Sequence, residues 1–375
     1  MKSKKQSLFN VAALSTVLLI GAGCNAATTE ETAIEADAAT SYQAQLSAAA
    51  EAREKNPAWK PAHQQIGTIQ VGQGKKGATL NNFCVNVDGN ILACCGSAGT
   101  GAAAGNEIRI YSPDGKLVKS LPLPVTPGAI CVDKDGSIYV GGGGRVLKLD
   151  QEGKIQASVD SPIAKAPVSL GKEMEDMLKE SGRQTAAQKA SYIKMLEQRR
   201  GEITGMAVTK EDVFMACPAP DDFTYRVYRL DHNLANAKLV VEKLRGCCGQ
   251  MDIQAVDDKL WIPHNARHRV ECHDRDGKEI SQFGKAGRVK PDQFGGCCEP
   301  KNLRFTSNGE ILAAESGPPT CIKKFSKDGK FLGVVAVLES DGNCVRVTVD
   351  VSADGKQFYL LDTAKNAIRV FGAKS

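Results

Sequence analysis

"ICVDKDGSIYVGG", residues 130–142, is an alternating apolar run, a tight Asp-Gly turn and a second alternating run, the signature of a β-hairpin. The same signature recurs as FCVNVDGNILACC (83–95), MAVTKEDVFMAC (206–217), IQAVDDKLWIPH (253–264), LRFTSNGEILAAE (303–315) and VTVDVSADGKQFYLLD (347–362). A second hairpin with its own polar turn follows most copies, as in IRIYSPDGKLVKSL (108–121) and VLKLDQEGKIQASV (146–159). The repeating unit is therefore four strands. Its first turns step by 47 residues from Asp88 to Asp135, 47 from Lys210 to Asp257, 51 from Asp257 to Asn308 and 46 from Asn308 to Asp354. That spacing predicts an all-β fold, a six-bladed β-propeller over residues 63–375.

Two irregularities refine the prediction. The last unit ends at AIRVFGAKS without an outer strand, and HQQIGTIQVG (63–72) lies ahead of the first blade with no partner of its own. The N-terminal strand is expected to close the last blade and so remove the open edges. The step from Asp135 to Lys210 is long, at 75 residues, and its surplus falls in 161–201. There Met174, Met177 and Leu178, then Ala190, Ile193 and Leu196, recur at helical spacing among charges, which predicts a helical insertion between blades two and three, broken near Ser181 and Gly182. Emerging on the face that carries the interblade linkers, it reads as a lid or docking arm, or as a decoration packed on the blade side.

The repeats "EPKNLRFTSNGEILAAESG" (299–317) and "LLDTAKNAIRVFG" (360–372) resemble NHL repeats, a family of six-bladed propellers also similar to gluconolactonase-type enzymes. The resemblance implies a ring with a shallow central pocket, used within the family for proteins, sugars, lactones or metals. It does not fix the chemistry.

Residues 1–23 place Lys2, Lys4 and Lys5 before an apolar run from Leu8 to Ile20 that is too short to span a bilayer, the pattern of an export signal. LIGAGC, ending at Cys24, resembles a bacterial lipobox with Gly21 where leucine is usual, so Cys24 is the expected lipidation site. The expected location is periplasmic or cell-surface, anchored to a membrane through the lipid. Residues 24–62, rich in Ala, Glu and Thr, read as a tether with some helical character. Net charge is only +5, three of those positive charges lie in the leader, and no concentrated basic surface is present, so nucleic acid is not an expected partner.

The chain has 13 cysteines, including the doublets Cys94–Cys95, Cys247–Cys248 and Cys297–Cys298. In a propeller, linkers and second-strand ends share a face, so these six, with Cys217 and Cys344, are expected around one rim. Neighbouring Cα atoms are about 3.8 Å apart, below the usual disulfide range of roughly 4.4–6.8 Å, and side chains in extended chain alternate, so each doublet member is a candidate to bond a different partner. Strained rings within the doublets, or a thiolate site for copper or zinc with His264, are the alternatives. No C-x-x-C-H is present, which speaks against covalent haem. Cys84 and Cys131 read as packed core residues, free or bridged, and Cys272 and Cys321 as third-strand residues whose pairing is open.

His264, Asn265, Arg267 and His268 in WIPHNARHRV form the densest group of proton-handling and anion-binding side chains. With Cys247, Cys248, Cys297 and Cys298 they are the expected ligand contacts, and His264 and Arg267 the catalytic candidates. Glu299, Asn302, Glu315 and Asp362 are candidates for a calcium-type or other divalent cation, as the gluconolactonase resemblance implies. Three functions follow: binding of a small ligand or protein partner on the cysteine-rich top face, metal-dependent lactonase-like hydrolase or lyase chemistry, and thiol-based redox or copper/zinc handling.

Overall fold

A computed structural model describes residues 44–71, 79–96, 105–246, 249–338 and 345–373. Six separate four-stranded antiparallel sheets form the blades of a closed ring. Blade one comprises Thr79–Val85, Ile91–Gly96, Glu107–Tyr111 and Leu117–Pro122, innermost strand first, and blades two to five repeat that order. The expected export signal, Cys24, Cys247, Cys248 and Cys344 lie outside the described residues.

Local chemistry explains the hairpins. At the first turn of blade one the Asn86 carboxamide accepts from the Asp88 and Asn90 amides, and Gly89 takes a φ of +81°, a conformation that favours glycine. Each sheet then buries both faces against its neighbours. Leu92, Ile108 and Leu121 of blade one pack against Ile130, Val140 and Leu147 of blade two, and Phe83 and Tyr111 pack against Tyr359 and Ile368 of blade six. Each such aliphatic side chain contributes about 1.5–3 kcal/mol by leaving water.

The ring closes as the sequence predicts. His63–Gln70 pairs antiparallel with Ala367–Ala373 as the outer strand of blade six. The segment ahead of it is more ordered than the expected tether. Residues 44–55 are helical, Pro57–Trp59 form a 3-10 turn, and the Trp59 indole is buried with Nε1 donating to Val289 O at 2.9 Å. Lys323 Nζ lies 4.8 Å from the Trp59 ring centre, a cation–π contact that helps hold this segment to blade five.

The insertion forms two helices, Lys172–Glu180 and Ala186–Arg199, and Thr185 and Gln188 make a reciprocal capping box at the start of the second. Met174, Leu178 and Leu196 are buried, whereas Met177 is 46% exposed and Ala190 is exposed, so the apolar stripe is narrower than the spacing suggests. The Gly141–Gly144 run permits close approach of neighbouring backbone and side chains. A Cβ on Gly142 would lie 2.0 Å from Thr126 O, and one on Gly141 2.4 Å from Ile203 Cγ2. No described helix is long and apolar enough to cross a membrane.

Candidate functional site

One mouth of the ring holds a cavity of about 770 Å³. Its wall is made by the entry to blade one (Thr79, Asn81), the linker and second-strand end of blade two (Thr126 to Gly128, Gly142), the end of the insertion (Gln198, Gly201, Glu202) and the linker into blade six (Val345, Arg346). Linkers and second-strand ends therefore do share a face. The insertion forms one side of the mouth.

Arg346 is the principal cation of this cavity. Its Nη1 donates to Gly128 O at 3.1 Å and Nη2 to Gly249 O at 3.0 Å, so one guanidinium bridges blade two and the linker into blade four. The neighbouring backbone is fixed across the channel by Gln250, whose Nε2 donates to Val347 O at 2.6 Å while its Oε1 accepts from Val347 N at 3.1 Å. Burial pulls the Arg346 pKa below the usual arginine range, and the Glu202 carboxylate opposes that shift. The group stays a cation at physiological pH. Among the described residues no carboxylate lies within ion-pair distance of it.

Glu202 faces the same space. Its backbone is held by Glu202 N donating to Arg199 O at 2.8 Å and by Gly144 N donating to Gly201 O at 2.7 Å. The side chain is 41% exposed, but Oε2 is buried with no hydrogen-bond partner, Arg199 Nε being 3.9 Å away. Arg199 itself stacks over Tyr225, 5.0 Å to the ring centre. Burial raises the Glu202 pKa, with Arg199 and Arg346 opposing.

Below the cavity the channel is polar and closed by its own contacts. Asn302 Nδ2 donates to Asp252 Oδ2 at 2.7 Å and its Oδ1 accepts from Val349 N at 2.8 Å. Arg304 lies between Asp252 (3.3 Å) and Asp350 (3.4 Å).

Several expected site residues are placed elsewhere. His264 is buried, its Nδ1 2.7 Å from Glu271 and its Nε2 accepting from Arg245 N at 2.9 Å. Both ring nitrogens are therefore used, which removes His264 as a base or metal ligand. Burial raises the Glu271 pKa, but hydrogen bonds from His264 and His273 outweigh it and hold the carboxyl well below its usual range. Asn265 is buried and donates to Gln250 O at 2.7 Å, whereas Arg267 is exposed on the loop. None of these three lines the cavity.

The cation candidates do not fit a shared ion. Glu299 Oε1 accepts from Ser316 N and Oγ at 2.9 Å and from Gly317 N at 3.0 Å. Glu315 pairs with the buried Lys323 and accepts from Gly295 N at 2.7 Å. Asp362 pairs with Arg369 at 2.6 Å and caps the following turn, and Asn302 is committed in the channel. Among the described residues no three His, Cys, Asp or Glu side chains gather as a metal-binding group.

The cysteines follow the alternation of their strands into the core. Cys94 packs between blades one and two, and Cys95 between blades six and one with its thiol toward Ala93 O at 3.6 Å. Cys217 is buried in the cluster between blades two and three. Cys94 and Cys217 are free thiols, so the expected rim staples are not made there; burial pushes the Cys217 thiol up to about 12. Cys84, Cys131, Cys272 and Cys321 are also free, without the bridges considered for them. Cys297 and Cys298 have Sγ atoms 3.4 Å apart, far beyond a covalent bond of about 2.05 Å, so no ring closes within that doublet. Cys297 is exposed, while Cys298 is buried and disulfide-bonded.

No family model matches the chain, and no curated protein does. Solved structures share the fold. A gluconolactonase from Xanthomonas campestris aligns with a TM-score of 0.51 at 10% identity over 84% of this chain and 96% of that one. A protein of unknown function from Bacteroides thetaiotaomicron aligns with a TM-score of 0.50 at 14% identity, over 84% and 74% respectively. At these identities the likeness is one of fold alone.

Proposed function

We propose that this chain is an exported, lipid-anchored propeller that binds a small molecule carrying an anionic group in the cavity at the linker mouth. Arg346 carries the reading: a half-buried cation, oriented by backbone carbonyls that do not neutralise it, bordering a cavity of about 770 Å³. A guanidinium so placed is preorganised for a carboxylate or similar oxyanion, since its orientation needs no further ordering on binding. The neutral hydroxyls, amides and glycine backbone around it suit a polar ligand of modest size. Metal-dependent hydrolysis is the weaker reading, because Glu299, Asn302, Glu315 and Asp362 are already tied to backbone amides or ion pairs.

Small carboxylates such as succinate, gluconate and 4-methylpentanoate are expected to raise the melting temperature, and their amide analogues to leave it alone. Arg346→Met is expected to abolish the carboxylate response, a loss of tenfold or more in affinity. Equal responses to acids and amides, or no response to any acid, would overturn the reading. The anchor has its own check: Cys24→Ser is expected to move the protein from the membrane fraction to the soluble one. A wild-type chain already recovered as soluble would refute lipidation.

A further inference from the structure

We propose that the ligand is an amino-carboxylate, a free amino acid or a short peptide, whose carboxylate meets Arg346 and whose ammonium meets Glu202. This rests on the anion-binding reading above and narrows it. The cavity presents one cation and one carboxyl from different parts of the fold, the linker into blade six and the end of the insertion. They influence each other electrostatically yet form no ion pair. Two opposite charges held apart across a ligand cavity are complementary to a zwitterion, whereas a simple anion would face repulsion from Glu202.

The carboxyl also lacks the donor it needs. Glu202 Oε2 is buried without a hydrogen bond: its ion-pair partner Arg199, stacked on Tyr225, stays 3.9 Å away, beyond hydrogen-bonding range. A buried acceptor left in this way gains from any donor that arrives, and an ammonium brings three. Burial, which raises the affinity of Glu202 for a proton in the empty cavity, likewise raises what a bound cation contributes there. Leu80, Pro127, Ile203 and Val345 supply an apolar wall beside the charged pair, which favours an apolar side chain on the ligand. Because Glu202 directly follows the insertion, whose end lines the cavity beside it, that segment helps set the specificity of the site.

Calorimetry with four probes tests this: L-leucine, the dipeptide Leu-Leu, 4-methylpentanoate (leucine without its amino group) and isopentylamine (leucine without its carboxylate). Leucine or Leu-Leu is expected to bind at least tenfold more tightly than 4-methylpentanoate, with the amine weakest, and the tighter of the first two separates free amino acid from peptide. In Glu202→Gln the preference for the amino-bearing probes is expected to collapse. If 4-methylpentanoate binds as tightly as leucine and Leu-Leu, or if Glu202→Gln keeps the preference, the zwitterion inference fails while anion binding stands. If no carboxylate binds, both fail. The wild-type comparison decides the matter even where the variant melts early.

Discussion

Arg304→Met is expected to destabilise the protein by about 3–5 kcal/mol, the cost of leaving a buried charge uncompensated. Arg304 is 10% exposed and is the cation between Asp252 and Asp350, whose side chains are 5% and 11% exposed. Methionine keeps much of the volume and removes the charge, so two carboxyls are left facing each other in the channel. The loss should depend on pH. Burial pushes the Asp252 pKa up to about 6, so near pH 5 it is mostly protonated and the repulsion left by the substitution is smaller. Urea unfolding of wild type and variant at pH 5 and pH 7.5 measures this, and an equal loss at both would mean that packing rather than charge holds the channel together.

A second large effect belongs to Glu299. Burial raises its pKa to about 8, with Lys301 opposing, Glu315 reinforcing, and the hydrogen bonds from Ser316 opposing. Its unfolded value is about 4.3. Because the folded pKa is the higher, the folded state holds the proton more tightly; this stabilisation is fully present below about pH 4 and is lost as pH rises through about 8. Wild type is therefore expected to lose about 2–4 kcal/mol between pH 5 and pH 9 from this group. Glu299→Gln retains an oxygen for Ser316 and Gly317 but cannot ionise. The wild-type-minus-variant difference in unfolding free energy should fall steadily across that range, and a flat difference would refute a protonated Glu299 in the native state.

The fold was legible because its determinants are local. An alternating run, an Asx-Gly turn and a second run specify a hairpin from a dozen residues, and the shortfall of one strand at Ala373 matches the surplus strand at His63. The site was not, because its determinants are global. Arg346 sits in a linker that looks ordinary in NCVRVTVD, and only the meeting of Gly128 and Gly249 carbonyls around it makes it an oriented cation. Its place just ahead of an innermost strand, where side chains reach the mouth, was the available signal. Glu202 offered the same one in RRGEITG.

His264 misled in the opposite direction. Its neighbours in sequence suggested an open reactive loop, but Glu271 and the Arg245 amide use both its nitrogens, and neither is visible from the local pattern. The Cys94–Cys95 doublet lies at a second-strand end, a place expected to be rim but in fact core. Blades face one another over nearly the full strand length, so Cys94 and Cys95 remain in apolar clusters up to the last residues of their strand.

The paired first and last strands give the polypeptide a seam. Thr68 and Arg369 are joined across it by a 3.2 Å hydrogen bond although 301 residues separate them. A ribosome therefore makes one half of this joint long before the other, and His63–Gln70 waits as an unmatched edge until Ala367–Ala373 emerges. Five blades can assemble in order from neighbouring hairpins, but the annulus locks only once Ala367–Ala373 is in place. Loss of the strand Ala367–Ala373 should therefore do more harm than a nick in a surface turn of any other blade, since it unfastens the clasp on which the whole circle depends.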